Sequence, residues 1–286
     1  MSIKIVSDSS CNVFQIPGAN FATVPMKVVA GDREFIDVPG MDVQEMVDFL
    51  KSYKGKSGSS CPNVQEWLDA FEGADEIFGI TISKNLSGSF NAAQQAAETY
   101  MEEHPGAKVF IVDSYSAGPE MAMLADKIQE CITAGQDFET IKANVLEYQN
   151  HCHTLFCLKS MMNLARNGRV HPAVAKIAGM LSIRVAGEAA GGQITDRAKP
   201  RGDKKATETL LQMMKDRGFY DGALLRIAHC NGEDAAMALV NAAKVEFPNM
   251  RVKLENTTGL CSFYAEEGGL MIGLEAGFNE ANNNLN

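Results

Sequence analysis

Apolar positions recur along this chain in two rhythms, and their ordering changes near residue 150. In the first half, short apolar runs read as strands at Ile3–Ser7, Glu76–Ser83 and Lys108–Asp113. Phe21–Val29 and Glu34–Asp37 flank Gly31-Asp32 and read as a hairpin. Between these runs the period lengthens to that of a helix. Asp42 with Glu45 makes a capping box ahead of Val43, Met46, Val47 and Leu50, and Asn63 with Glu66 repeats it ahead of Val64, Trp67, Leu68 and Phe71. Ser87–Glu103 is an alanine-rich helix stopped by Pro105-Gly106, and Ala117–Ala134 ends at Gly135. Asp137 caps a helix whose stripe is Phe138, Ile141, Val145 and Tyr148. Strands separated by helices in this order predict a mainly parallel sheet covered by helices.

Past His151 the pattern mixes. His153–Leu158 is strand-like, Ser160–Arg166 and Pro172–Met180 are short helices, and Leu181–Gly187 and Gln193–Arg197 flank the turn Gly191-Gly192. Gly202–Arg217 and Glu233–Val245 read as helices, with strands at Ala223–His229, Met250–Glu255 and Leu270–Ala276. The expected fold class is α/β in two domains: residues 1–150, built on a mainly parallel sheet, and residues 151–286, a mixed α/β domain.

The chain has 286 residues, enough for two ordinary domains with real cores. Its net charge of -10 argues against nucleic acid or an anionic surface as the main partner. Seven cysteines in no framework spacing read as reduced thiols. The apolar runs are strand-sized, and Met1–Val6 enters a strand without a basic, apolar leader, so a cytoplasmic protein is expected.

Candidate chemistry sits in three hydroxyl-rich loops: Ser59-Ser60-Cys61-Pro62-Asn63, Leu86-Ser87-Gly88-Ser89-Phe90 and Asn256-Thr257-Thr258-Gly259. Each hands over to a helix start, where unpaired amides and the macrodipole favour an anion. One such loop alone is most often a plain N-cap. Three together suggest a single pocket for a carboxylate or phosphate. His151-Cys152-His153 with Cys157 could suggest zinc, but consecutive strand residues point to opposite faces. Cys61 and Cys261 could suggest thiol chemistry, but no histidine falls in these loops. His229 reads as structural and His171 as a cap before Pro172. Asp8 is expected to order the first loop, with a supporting role near a head group as its alternative. No metal, cofactor or catalytic residue is assigned, and the chain is not read as an enzyme.

In order, Ser7-Asp8-Ser9-Ser10, Ser59-Ser60-Cys61-Pro62-Asn63, Leu86-Ser87-Gly88-Ser89-Phe90, Val112-Asp113-Ser114, Asn167-Gly168-Arg169-Val170, Ser182-Ile183-Arg184-Val185 and Lys199-Pro200-Arg201-Gly202 resemble the characteristic segments of the DegV family of bacterial fatty-acid-binding proteins. The resemblance covers nearly the whole chain. It implies a fatty acid lying in a cleft between two α/β domains. It also implies a carrier that takes the acid from a membrane, in transient contact, and presents its carboxylate to a separate ATP-dependent fatty acid kinase. Carried over, Ser59 and Ser87 are carboxylate ligands, with Ser60 and the Gly88 amide beside them. Arg201 corresponds to a basic residue at the pocket mouth, where the kinase is met. The chain departs from the pattern at Thr257-Thr258-Gly259, where the family has a histidine at the position of Thr257.

Hydroxyls of Ser59, Ser87 and Thr257, with amides near Gly88 and Gly259, would supply roughly four to six donors. Leu158, Met161, Met162, Ile177, Met180 and Leu181 are the candidates to line an acyl channel, although methionines at Met161, Met162 and Met180 are more often ordinary core. At about 0.8 kcal/mol per buried methylene, the tail would dominate affinity. The alternative reading is a binding protein or enzyme for another small carboxylate or phosphorylated metabolite. A phosphotransfer subunit like the dihydroxyacetone kinases would need a histidine in the loops.

Overall fold

Alternation along β1 (Ile3–Asp8) sets the layering of the first half, because Ile5 faces one core cluster and Val6 another. The computed structural model describes residues 2–277 apart from 179 and 181, and their side chains apart from those of 177 and 178. Within the expected hairpin region the chain divides at Pro25. β2 (Phe21–Val24) runs parallel to β1, whereas β3 (Lys27–Ala30) and β4 (Arg33–Ile36) form the antiparallel hairpin across Gly31-Asp32. A proline offers no N–H to a ladder, so one continuous strand through residue 25 is disfavoured.

α1 (Val43–Ser52) starts at Asp42, whose carboxylate accepts from the Glu45 amide. β5 (Ser57–Ser60) then joins β3, and α2 (Val64–Phe71), β6 (Glu76–Thr81), α3 (Ser89–Glu103) and β7 (Lys108–Asp113) follow. α4 (Pro119–Thr133) and α5 (Phe138–Asn150) complete the first half. The sheet order is β2-β1-β6-β7, with every pair parallel. One face packs on Trp67, Phe71, Ala93 and Tyr100 from α2 and α3, and the other on Leu124, Ile128, Ile141 and Val145 from α4 and α5. The doubly covered parallel sheet expected from the alternation is present.

The second half is β8 (Cys152–Leu158), α6 (Met162–Arg166), α7 (Pro172–Ala178), β9 (Val185–Ala190), β10 (Gln193–Ala198), α8 (Asp203–Asp216), β11 (Leu224–His229), α9 (Glu233–Glu246), β12 (Arg251–Asn256), α10 (Gly259–Ala265) and β13 (Leu270–Glu275). Its strands make a separate sheet in the order β10-β9-β8-β13-β11-β12, in which only β11 and β12 are parallel neighbours. α8 and α9 cover one face through Leu210, Met214, Leu239 and Val240. From the other face, Phe156 joins the large core that also holds Ile5, Ile80 and Leu124 of the first half, as does Leu158. The site lies along that shared boundary.

Candidate functional site

β5 is the first surprise, because Ser57-Gly58-Ser59-Ser60 has no strand propensity of its own. Pairing with β3 imposes the strand and sets Ser59 opposite Val28 and Ser60 opposite Lys27. The helix start that follows satisfies itself. Asn63 Oδ1 accepts from the Glu66 amide at 3.0 Å, and the Glu66 carboxylate accepts from the Asn63 amide at 2.8 Å. Ser59 Oγ instead reaches Tyr264 Oη of α10 at 2.7 Å.

The second loop is a turn on Ser83, whose carbonyl accepts from the amides of Leu86 and Ser87 at 2.9 and 3.2 Å. Gly88 follows as the N-cap of α3 and has no side chain to cap it. Ser87 Oγ accepts from the Ser89 amide at 3.3 Å, and Ser89 Oγ donates to Asp8 Oδ2 at 2.7 Å. The fully buried Asp8 also accepts from the amides of Ile82 and Ser10, at 3.0 and 3.2 Å. Burial pushes the Asp8 carboxyl up to about 6, against the pull of these hydrogen bonds. Asp8 therefore anchors the second loop from behind, through Ile82 and Ser89.

Both loops line a cavity of about 310 Å³. Ser59, Ser60, Cys61, Ser87 and Gly88 line it, and Met26, Ile82, Phe156, Leu158, Leu260 and Met271 supply apolar wall. Arg169 also lines it, with its Nε donating to the Leu86 carbonyl at 3.2 Å. Among the described residues no carboxylate pairs with Arg169. A half-buried guanidinium beside hydroxyls, without an acidic partner, leaves an anion site open.

A family model described as an uncharacterised protein of the DegV family matches residues 2–276. The chain belongs to the DegV family. A DegV domain-containing protein of Streptococcus pneumoniae is 36% identical over 280 residues, which are 96% of this chain and 99% of that protein. Among solved structures, a DegV family protein from Eubacterium eligens loaded with heptadecanoic acid superposes with a TM-score of 0.94 at 38% identity, covering 96% of this chain and 100% of that one. The Streptococcus pneumoniae Fatty Acid Kinase (Fak) B3 protein loaded with linoleic acid gives 0.94 at 37% identity, with the same coverage.

Within this DegV chain the third hydroxyl loop does not join the other two. Thr257 is buried, with its Oγ1 2.6 Å from Ser262 Oγ and 3.4 Å from the His229 carbonyl. Thr258 donates to Asp37 Oδ2 at 3.3 Å, and the Gly259 and Leu260 amides donate to the same carboxylate at 2.7 and 3.0 Å. The helix start expected to hold a ligand anion holds Asp37 instead. What α10 gives the cavity is Leu260, Tyr264 and Ala265.

The expected acyl lining is also redrawn. Leu158 faces the cavity, but Met161 is wholly buried in the core and Met162 opens onto a different groove, beside α1. Met180 is 58% exposed, Leu181 lies outside the described residues, and so does the side chain of Ile177. Arg201 is exposed in the turn between β10 and α8, paired across an isolated bridge with Ile183 and away from the cavity wall. His151 lies 3.2 Å from Glu147, and buried His153 lies 2.9 Å from the Gly277 carbonyl. Among the described residues no three His, Cys, Asp or Glu side chains are grouped to hold a metal. His171 Nδ1 accepts from the Ala173 amide at 3.2 Å, a local cap.

Proposed function

We propose that the cavity holds a long-chain fatty acid and that the chain presents its carboxylate to a separate fatty acid kinase, as a carrier without catalysis of its own. The observation that carries this reading is one mainly apolar cavity whose lining includes Ser59, Ser60, Ser87 and Arg169. A buried carboxylate needs its oxygens bonded, and hydroxyls with a guanidinium meet that need. The remaining wall suits a hydrocarbon tail. Heptadecanoic and linoleic acids in two relatives above 35% identity support the ligand class. The kinase partner is supported by the likeness to the Fak B3 protein. Charge supports it too: residues 159–205 carry ten Lys and Arg against three Asp and Glu, in a chain of net charge -10. Arg201 stands in that basic stretch, exposed and free to meet an acidic partner.

Organic extraction of the purified protein followed by mass spectrometry is expected to release a long-chain acid in near-equal molar amount. Ser59→Ala combined with Ser87→Ala should then weaken binding by roughly a hundredfold, the loss of about 3 kcal/mol of charge-assisted bonding. Arg201→Ala should retain the acid and slow its phosphorylation by the kinase. A protein that releases no acid and gains no thermal stability from any added one would overturn the reading.

A further inference from the structure

The cavity wall carries a second pair of hydroxyls besides those of Ser59 and Ser87. Ser116, at the turn after β7, and Thr154, in the middle of β8, both line the wall, and their hydroxyl oxygens lie 2.6 Å apart. Thr154 Oγ1 donates onward to the carboxyl of Glu120, on the first turn of α4. All three are buried, Glu120 with 2% exposure. Among the described residues no Lys, Arg or His pairs with Glu120. Burial pushes its carboxyl up to about 7, so it keeps its proton in mildly acidic solution.

A carboxylic acid that has kept its proton can donate as well as accept. The chain Glu120–Thr154–Ser116 then runs in either direction. With Thr154 donating to Glu120, Ser116 donates to Thr154 and turns lone pairs to the cavity. With Glu120 donating, the order reverses and the Ser116 proton is shared between the Ala117 carbonyl, 3.4 Å away, and any acceptor a ligand brings. A wall meant only for hydrocarbon gains nothing from two hydroxyls, whereas a hydroxyl carried in by the ligand would find a partner of either sense. An unpartnered hydroxyl in an apolar channel costs on the order of 1–3 kcal/mol.

We infer that Ser116 and Thr154 form a subsite for a hydroxyl group on the acyl chain, so that the cavity accepts hydroxylated long-chain fatty acids. The inference rests on the fatty-acid reading of the same cavity. Its test is the affinity of the whole protein, freed of lipid, for octadecanoic acid and for a positional series of monohydroxyoctadecanoic acids. At least one isomer is expected to bind as tightly as octadecanoic acid or more tightly. Its affinity relative to octadecanoic acid should fall about tenfold, near 1.4 kcal/mol, in Ser116→Ala combined with Thr154→Val. Thr154→Ser, which keeps the hydroxyl, should restore the ratio when paired with native Ser116. Octadecanoic acid binding with every isomer about tenfold weaker would overturn this inference alone. Failure of all the acids to bind would overturn the fatty-acid reading along with it. The native series decides the matter even if the double variant does not fold.

Discussion

Single residues show most clearly how burial is used here. Asp8 and Glu120 are fully buried carboxyls with no cationic partner among the described residues, pushed up to about 6 and about 7. Both must therefore weaken the fold as they ionise. For Glu120 the folded value exceeds the ordinary 4.5, so its contribution is fully present below about pH 4.5 and is lost as pH rises through about 7. The groups packed nearest are Thr154, Ser116 and the Cys152 thiol, which is itself pushed up by burial and stays neutral. Glu120→Gln removes the titration while keeping a neutral hydrogen-bonding group. Relative to native protein, the variant should gain about 3 kcal/mol between pH 4.5 and 8, the free energy of raising the carboxyl from 4.5 to about 7. Urea unfolding across that range is the measurement, and a pH-independent difference would refute the assignment.

Among elements, α10 was the hardest to read from sequence, and its cause is a partner 222 residues away. Asn256-Thr257-Thr258-Gly259 has the composition of an anion-binding helix start, and it does bind an anion, the Asp37 carboxylate. Nothing local announces that pairing. By contrast the capped starts at Asp42, Asn63 and Asp137 were legible, because cap and amide lie three residues apart. β5 was invisible for the opposite reason: Ser57-Gly58-Ser59-Ser60 is a strand only because β3 offers it an edge. Arg169 belongs to the Asn167-Gly168-Arg169-Val170 motif, but its place on the cavity wall is set by the fold and not by its neighbours in sequence. Asp37→Ala should cost about 2–4 kcal/mol, since two charge-assisted amide bonds and a threonine contact are lost together. It should also loosen the hold of Tyr264 on Ser59, which calorimetry and acid-binding titrations would report together as lower stability and weaker binding.

At the scale of the whole molecule, the cavity belongs to no single sheet. β5 and the loop after β6 bring the hydroxyls, while β8 and β13 bring Phe156, Leu158 and Met271. A ligand that fills it touches strands, or the loops that follow them, from all three sheets, β4-β3-β5 included, so its length becomes a property the whole fold measures. If tail burial drives binding, each added methylene contributes about 0.8 kcal/mol, close to a fourfold gain in affinity. That gain can continue only while wall remains to be covered. A saturated acid series should therefore show a steep rise in affinity with length, then a break where the chain has filled about 310 Å³. Thermal stability at fixed ligand excess should follow the same curve, because a ligand that binds only the folded state stabilises it by mass action. A site for a small anion would give a flat series instead, since its free energy would come from the hydroxyls and Arg169 alone. The slope before the break thus separates the two readings, and the position of the break measures how much of the cavity the chain can use.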